Sequence, residues 1–206
     1  MQTKGRGRLQ REWVSQHGNL SATLLWPTRA EPGQGALYGF AAAVSVAETL
    51  DAYRPVSPLT LKWPNDVLLG GAKVSGLLIE REPEALLVGI GINLLSHPDG
   101  TPYPATHLVA EMREEDLAQD EPLFTGSAAV LALLSAKVAA RFRQLEIDGF
   151  APIRDAWLAR AHGLGERVTV DRKSGIFSAI AANGALLLRD ANGTEQRVHA
   201  GDVSFG

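Results

Sequence analysis

The chain has 206 residues, 45% apolar and 21% charged, enough for one full hydrophobic core and a small appended module. Its net charge is −3, so no bulk attraction to nucleic acid or to an anionic membrane is built in, and any basic site must be local. It contains no cysteine, which excludes disulfides, thiolate metal sites and a cysteine nucleophile and fits a cytoplasmic location. The longest mostly apolar stretch, residues 86–95, is far too short to span a bilayer, and the polar, basic first residues carry no apolar run of the kind that marks a signal peptide.

Met1-Gln2-Thr3-Lys4 runs directly into Gly5-Arg6-Gly7-Arg8. Residues 19–26, rich in Leu and Thr, then read as a strand. Over 35–53, Leu37, Phe40, Ala41, Val44, Ala47 and Leu50 recur at helical spacing and predict an amphipathic helix. Residues 59–63 form a short strand stopped by Pro64, 67–69 continue after the turn, and Gly70-Gly71 is a hairpin turn. Two more strands are predicted at 74–80 and 85–94, the second apolar enough for a central strand buried on both faces. Residues 96–122, rich in proline, acid and small polar groups, predict a long surface loop with room for a short helix. A second amphipathic helix is predicted over 127–145, with Leu131, Leu134, Val138, Phe142 and Leu145 on one face. Pro152 marks the first turn of a shorter helix ending near His162-Gly163. Beyond Gly165, short strands at 168–170, 176–180, 185–188 and 196–199, with tight turns at Asn183-Gly184 and Asn192-Gly193, predict a small SH3-like barrel.

Three segments carry residue types suited to chemistry. In Gly5-Arg6-Gly7-Arg8, followed by Arg11 and Trp13, the glycines let the backbone approach a ligand closely while the arginines flank it as bidentate cations. Such a loop suits a carboxylate or phosphate whose charge must be screened, although the same composition also makes a flexible basic tail. In Lys62-Trp63-Pro64-Asn65-Asp66, the proline leaves Asn65 and Asp66 at a strand terminus, where functional groups often sit. Asn65 has an amide able to read an adenine edge, and Asp66 can position Mg²⁺ or an incoming amine. Lys73, after the Gly-Gly turn and ahead of Gly76, can aim a point charge at a phosphate oxygen. Asn-Asp is equally an ordinary turn pair, and a strand lysine is often simply solvated. The third segment, Gly89-Ile90-Gly91-Ile92-Asn93, lacks the third glycine and following helix of a dinucleotide fingerprint. Its glycines permit close approach of a ligand or of a packing backbone, and Asn93 can offer its amide to a base.

Taken together, in order and spacing, these segments resemble the signature of the biotin protein ligases. The likeness extends through Ser15, Gly18-Asn19-Leu20, Gly184-Ala185-Leu186-Leu187 and Ala200-Gly201-Asp202-Val203, nearly the whole chain. The resemblance implies an α/β (α+β) catalytic domain over 1–163, a mixed sheet flanked by helices and related to class II synthetase and lipoate ligase domains, with an SH3-like domain over 164–206. It implies an ATP- and Mg²⁺-dependent ligase that makes biotinyl-5'-AMP and passes biotin to a lysine of a biotin carboxyl carrier protein domain. By the same resemblance, Gln2, Gly5, Arg6, Gly7, Arg8, Arg11, Trp13, Lys73 and Gly76 surround biotin and its adenylate, and Asn65 and Asn93 lie by the adenine. Arg8, Lys73 and Asp66 form the catalytic group: Arg8 restrains the reactive intermediate, Lys73 contacts the biotin carboxylate and α-phosphate, and Asp66 lies near the metal or acceptor lysine. No residue is assigned as a protein metal ligand.

Two departures from the family pattern stand out. Leu9-Gln10-Arg11 occupies the place where the family often has Arg-Gly-Arg, which alters the loop's flexibility. The family's preceding segment, with a Ser-Thr-Asn motif that also grips biotin, does not stand ahead of Met1, which leaves a misplaced start, a fragment or a degenerate member as readings. With no helix-turn-helix, DNA binding is not expected; a homodimer through a sheet edge stays open. The alternatives are a lipoate-type ligase and a truncated, non-catalytic module that binds biotin or the carrier.

Overall fold

Hydrophobic periodicity of two in the strands and 3.6 in the helices builds a helical layer held between two antiparallel sheets in the computed structural model, which describes residues 2, 4–28, 33–118 and 123–205. A miniature hairpin of β1 (Gly5–Arg6) and β2 (Glu12–Trp13) leads into β3 (Leu20–Pro27), α1 (Gly35–Asp51), β4 (Leu59–Lys62), β5 (Asp66–Leu69), β6 (Ala72–Glu82) and β7 (Ala85–Ile92). Then come α2 (Glu114–Leu117), α3 (Ser127–Asp148) and α4 (Phe150–Leu158). The C-terminal strands are β8 (Arg167–Val170), β9 (Lys173–Ile180), β10 (Leu186–Arg189), β11 (Glu195–Val198) and β12 (Val203–Phe205).

The larger sheet has the order β3-β7-β6-β5-β4, and its neighbours pair antiparallel. Among the described residues, the parallel component of the expected mixed sheet is confined to single bridges, Leu61 with Ala161 and Lys73 with Ala105. Alternation along β7 turns Leu86, Val88, Ile90 and Ile92 into the core. Leu87, Gly89 and Gly91 therefore face the other way, so β7 is not packed by side chains on both faces as its apolar run predicts; its second face is the floor of a cleft.

On the core side, α1 departs from the amphipathic helix expected over 35–53. It is buried on nearly every side from Tyr38 to Leu50, because the sheet covers one flank while α3 and α4 cover others. Its buried hydroxyls remain satisfied: Ser45 Oγ donates to the Ala41 carbonyl at 2.8 Å and Thr49 Oγ1 to the Ser45 carbonyl at 2.7 Å. The stripe on α3 is close to the predicted one, with Val130, Leu134, Val138, Phe142 and Leu145 buried. Phe142 sets its ring edge-on to Trp26 and Tyr38 at 5.3 and 4.9 Å. Pro152 sits in the first turn of α4, as its missing N–H allows.

Five strands in the order β11-β10-β9-β8-β12 make the SH3-like C-terminal unit. Its last strand, β12, pairs back on β8 and carries no sequence signal of its own in three residues. The core runs unbroken between the two sheets: Trp157 stands 5.2 Å from Phe40 and 6.3 Å from Phe177, and Trp63 Nε1 donates to the Gly184 carbonyl at 3.1 Å.

The segment 96–122 differs from a plain surface loop. Positions 119–122 lie outside the described residues; within the rest, the short helix α2 forms and Leu108 and Met112 are buried. Its backbone clasps β6, with Lys73 N–H donating to the Pro104 carbonyl at 2.8 Å and Thr106 N–H to the Lys73 carbonyl at 3.0 Å. No helix among the described residues is long and apolar enough to cross a membrane.

Candidate active site

On the face of the larger sheet away from the helices lies a cleft of about 1020 Å³. Its floor is Gly76, Gly89 and Gly91, with Ser21 and Thr23 of β3 beside them; Gly76 pairs with Gly91 across β6 and β7. The β1–β2 hairpin arches over it. Trp13 rests its indole on the floor, so that a Cβ on Gly91 would collide with the ring and one on Gly76 would lie 3.2 Å from it. That close approach is the reason both strands carry glycine there.

Lys73 and Asp66 form the polar centre. Lys73 Nζ lies 2.8 Å from Asp66 Oδ1, with side chains only 16% and 22% exposed, so the pair is well shielded from solvent. The β5–β6 register that sets Asp66 opposite Gly76 contains a bulge between Val67 and Leu68, which brings the lysine to the aspartate. Two aromatic faces flank the ammonium: Tyr103 at 5.0 Å from ring centroid and Trp13 at 6.0 Å.

The arginine loop closes the cleft from the N-terminal side. Gly7 N–H donates to the Arg11 carbonyl at 2.8 Å, and Gly5 pairs with Trp13 where a side chain on Gly5 would strike the Trp13 carbonyl. Arg8 reaches inward, donating from Nη1 to Asn65 Oδ1 and to the Gly201 carbonyl, both at 3.4 Å. Arg6 and Arg11 line the rim, and Gln2 accepts a hydrogen bond from Ser15 Oγ at 3.3 Å. Leu9 and Gln10 have φ of 56° and 60°, the left-handed region. Gln10 stands where the family often has glycine, and the turn still demands a glycine-like conformation, at a cost of order 1 kcal/mol for a residue with a side chain.

The two asparagines part company. Asn65 lines the cleft, but both ends of its amide are engaged: Nδ2 donates to the Leu77 carbonyl at 2.6 Å while Oδ1 accepts from Arg8. Asn93 is buried beneath the 104–108 loop rather than on the cleft lining, with Nδ2 donating to the Thr106 carbonyl at 3.1 Å. Its Oδ1 finds no partner among the described residues.

The remaining wall could not be read from local motifs. Pro102, Tyr103 and Pro104 arrive from the long loop, and His162, Asp202, Ser204 and Phe205 from the junction and last strand of the C-terminal unit. Phe205 stacks edge-on against His162 at 4.5 Å and lies 5.5 Å from Lys62 Nζ. Burial, with the Lys62 charge adding to it against Glu166, lowers the His162 pKa below the ordinary imidazole value. The proline-flanked Tyr103 and the Gly-Asp pair at 201–202 were the only signals available for these residues.

Family models match at both ends of the chain: the Biotin/lipoate A/B protein ligase family over residues 1–96, and the Biotin protein ligase C terminal domain over residues 163–206. A biotin–[acetyl-CoA-carboxylase] ligase of Paracoccus denitrificans is 42% identical over 217 residues, spanning 100% of this chain and 88% of the relative. A bifunctional ligase/repressor of Bacillus subtilis is 29% identical over 219 residues, with 100% of this chain matching 64% of that longer protein. Among solved structures, the biotin protein ligase from Aquifex aeolicus in complex with biotin and ATP superposes with a TM-score of 0.78 at 28% identity, covering 98% of this chain and 84% of that one. With matching models at both ends and a 42% identical relative along its full length, the chain belongs to the biotin protein ligase family.

Proposed function

We propose that this protein activates biotin with ATP, forming biotinyl-5'-AMP and releasing pyrophosphate, and then transfers biotin to a lysine of a biotin carboxyl carrier protein domain. The observation that carries the reading is the meeting of Arg8, Asn65 and the Lys73–Asp66 pair around a glycine floor in one cleft. A carboxylate oxygen attacking the α-phosphate of ATP brings two anions together, and fixed cations stabilise that encounter without having to reorganise. Arg8 and Lys73 supply them. As the new oxygen–phosphorus bond forms, the bond to pyrophosphate breaks; in the second step the acceptor amine attacks the acyl carbon and AMP leaves. Neither step needs a protein nucleophile.

Asp66 holds Lys73 in place before substrates arrive and, once Lys73 turns to the phosphate, is left as a carboxylate on the cleft wall for the acceptor lysine's ammonium. Mg²⁺ takes one or two carboxylates together with substrate phosphates, a donor set that Asp66 on the cleft wall suits; bound there it would screen the phosphate charge. Gln2, Gly5, Arg6, Gly7, Arg11, Trp13 and Gly76 are read as the biotin and adenylate walls, and Asn65 as the adenine contact. Asn93 acts from behind by holding the 104–108 loop. The hairpin over the cleft excludes water from an anhydride that water would destroy. Residues 1–163 are read as the catalytic domain and 164–206 as its SH3-like companion, with the β3 edge as the surface for self-association.

The test is pyrophosphate release from biotin, ATP and Mg²⁺, run beside lipoate, followed by labelling of a carrier domain. Biotin-dependent release supports the reading; a preference for lipoate, or binding with no release, replaces it. Lys73→Ala should lower release at least about a hundredfold, the scale of losing one preorganised charge contact. The circular dichroism spectrum should be unchanged, because the backbone of Lys73, not its side chain, pairs with the loop. Undiminished turnover would remove Lys73 from the site.

A further inference from the structure

We infer that Asp202 is a positioning residue: carried by the C-terminal unit, it latches the arginine loop down over the cleft. Arg8 and Arg11 come from the first residues of the chain, Asp202 from almost its last, and they meet at one carboxylate. Arg11 forms an ion pair with Asp202 Oδ2, and Arg8 Nη1 lies 3.9 Å from Asp202 Oδ1 while donating to the neighbouring Gly201 carbonyl at 3.4 Å. The turn that presents these acceptors is built for it. Gly201 has φ of 133°, and a Cβ there would lie 2.9 Å from Asp171 Oδ2 and collide with Val170, so only glycine lets the chain bend and aim both its carbonyl and the next carboxylate at the loop.

A carboxylate at an anion site is otherwise a liability, since it competes with the incoming phosphate. Here the two arginines divide the work. Arg11, with a side chain 60% exposed, keeps Asp202 occupied, whereas Arg8 is the more buried at 26% and is turned toward Asn65 in the cleft. When a phosphate arrives, Arg8 exchanges the Asp202 and Gly201 oxygens for it, and the Arg11–Asp202 pair keeps the hairpin in place over the product. This consequence rests on the ligase reading. The latch itself does not.

The test measures amide hydrogen exchange of residues 4–13 in the full chain without ligands, where the Gly7 and Arg11 amides report directly on the loop turn. Asp202→Asn should speed exchange there about two- to five-fold, the range for losing a partly exposed ion pair. Asp202→Glu, which keeps the charge, should stay close to the wild type. Molar salt should speed the wild-type loop and leave Asp202→Asn unmoved, since screening has nothing left to weaken. If Asp202→Asn also speeds the β8–β12 amides, Arg11→Gln decides: acceleration confined to 4–13 supports the latch, and none overturns it. Equal exchange in wild type and Asp202→Asn overturns it outright. In the working enzyme, Asp202→Asn should release pyrophosphate in excess of carrier labelling, with stray label on bystander lysines. A wild type that shows the latch by exchange but makes no adenylate would sink the ligase reading alone, and a competent ligase with an indifferent loop would sink the latch alone.

Discussion

At Gly91 a single methyl group has nowhere to go. The Trp13 indole already occupies the volume a Cβ would need, and β7 cannot recede because Ile90 and Ile92 on either side are locked in the core. Gly91→Ala must therefore push the indole off the floor. The expected result is a red-shifted Trp emission in the free protein and biotin binding weakened at least about tenfold by calorimetry, with thermal stability changed little, since the displaced ring moves into the open cleft and not into the core. Arg8→Gly acts by a different route: it removes the cation nearest Asn65 and frees the loop from the Gly201 carbonyl. Its adenylate should escape and label nearby lysines indiscriminately, which mass spectrometry of a mixture of carrier and bystander proteins would detect; strict carrier specificity in that variant would count against the role of Arg8. Both residues belong to motifs that stand out in the sequence, the Arg/Gly tract and the Gly-Ile-Gly strand. Tyr103 and Phe205 do not, because each reaches the cleft from a segment whose local pattern says only loop or short strand; Asp202 lies in a segment that shares the family likeness, but nothing local to it points to the cleft.

The helices α1 and α3 supply the rigidity on which the cleft is held. Phe142 ties their junction to the sheet: it is fully buried, touches Trp26 and Tyr38 edge-on, and sits beside Glu146, which accepts from Trp26 Nε1 at 2.8 Å and from the Tyr38 hydroxyl at 3.1 Å. Phe142→Ala should cost about 3–5 kcal/mol in a denaturant titration, the usual range for removing a buried aromatic ring from a close-packed core. The α3 stripe was readable because its neighbours lie on one side only. For α1 the same reading of periodicity gave too little burial: Ala-rich turns pack against helices on faces that a hydrophobicity pattern counts as neutral, and two hydroxyls pass as polar although they bond back to their own helix. The 96–118 segment misled for a related reason. Its proline and acid content predicts solvent exposure, yet its backbone groups pair with Lys73 and Asn93, which no composition reveals.

Across the whole molecule, two half-buried imidazoles tie stability to pH. His107 has its Nδ1 2.8 Å from that of His97, and burial, followed by the charge of His97, lowers its pKa; His162, at the junction of the two sheets, is lowered by burial as well. Both folded-state values lie below the ordinary 6.5 that the unfolded chain regains. The unfolded state therefore takes up protons first as pH falls, so their stabilising contribution is complete above about pH 6.5 and is lost as pH drops through the folded values. Thermal melts from pH 8 to pH 5 should show a falling midpoint, and His107→Gln should flatten the profile below pH 6.5; an unchanged slope would mean that folded His107 takes up its proton as readily as the unfolded chain does. The chain's own order of residues was enough for the strands other than β1, β2 and β12, for the principal helices, the SH3-like end and the chemistry of the Arg/Gly, Lys-Trp-Pro-Asn-Asp and Gly-Ile-Gly segments, because each rests on short-range periodicity or on residue types within a few positions of one another. The burial of α1, the shift of Asn93 from the cleft to the support of a loop, the pairing of Lys73 with Asp66 and the arrival of Asp202 at Arg8 and Arg11 came only with the fold. Those depend on which faces the long-range packing brings together, and residues nearly two hundred positions apart, as Arg8 and Gly201 are, carry no local mark of their meeting.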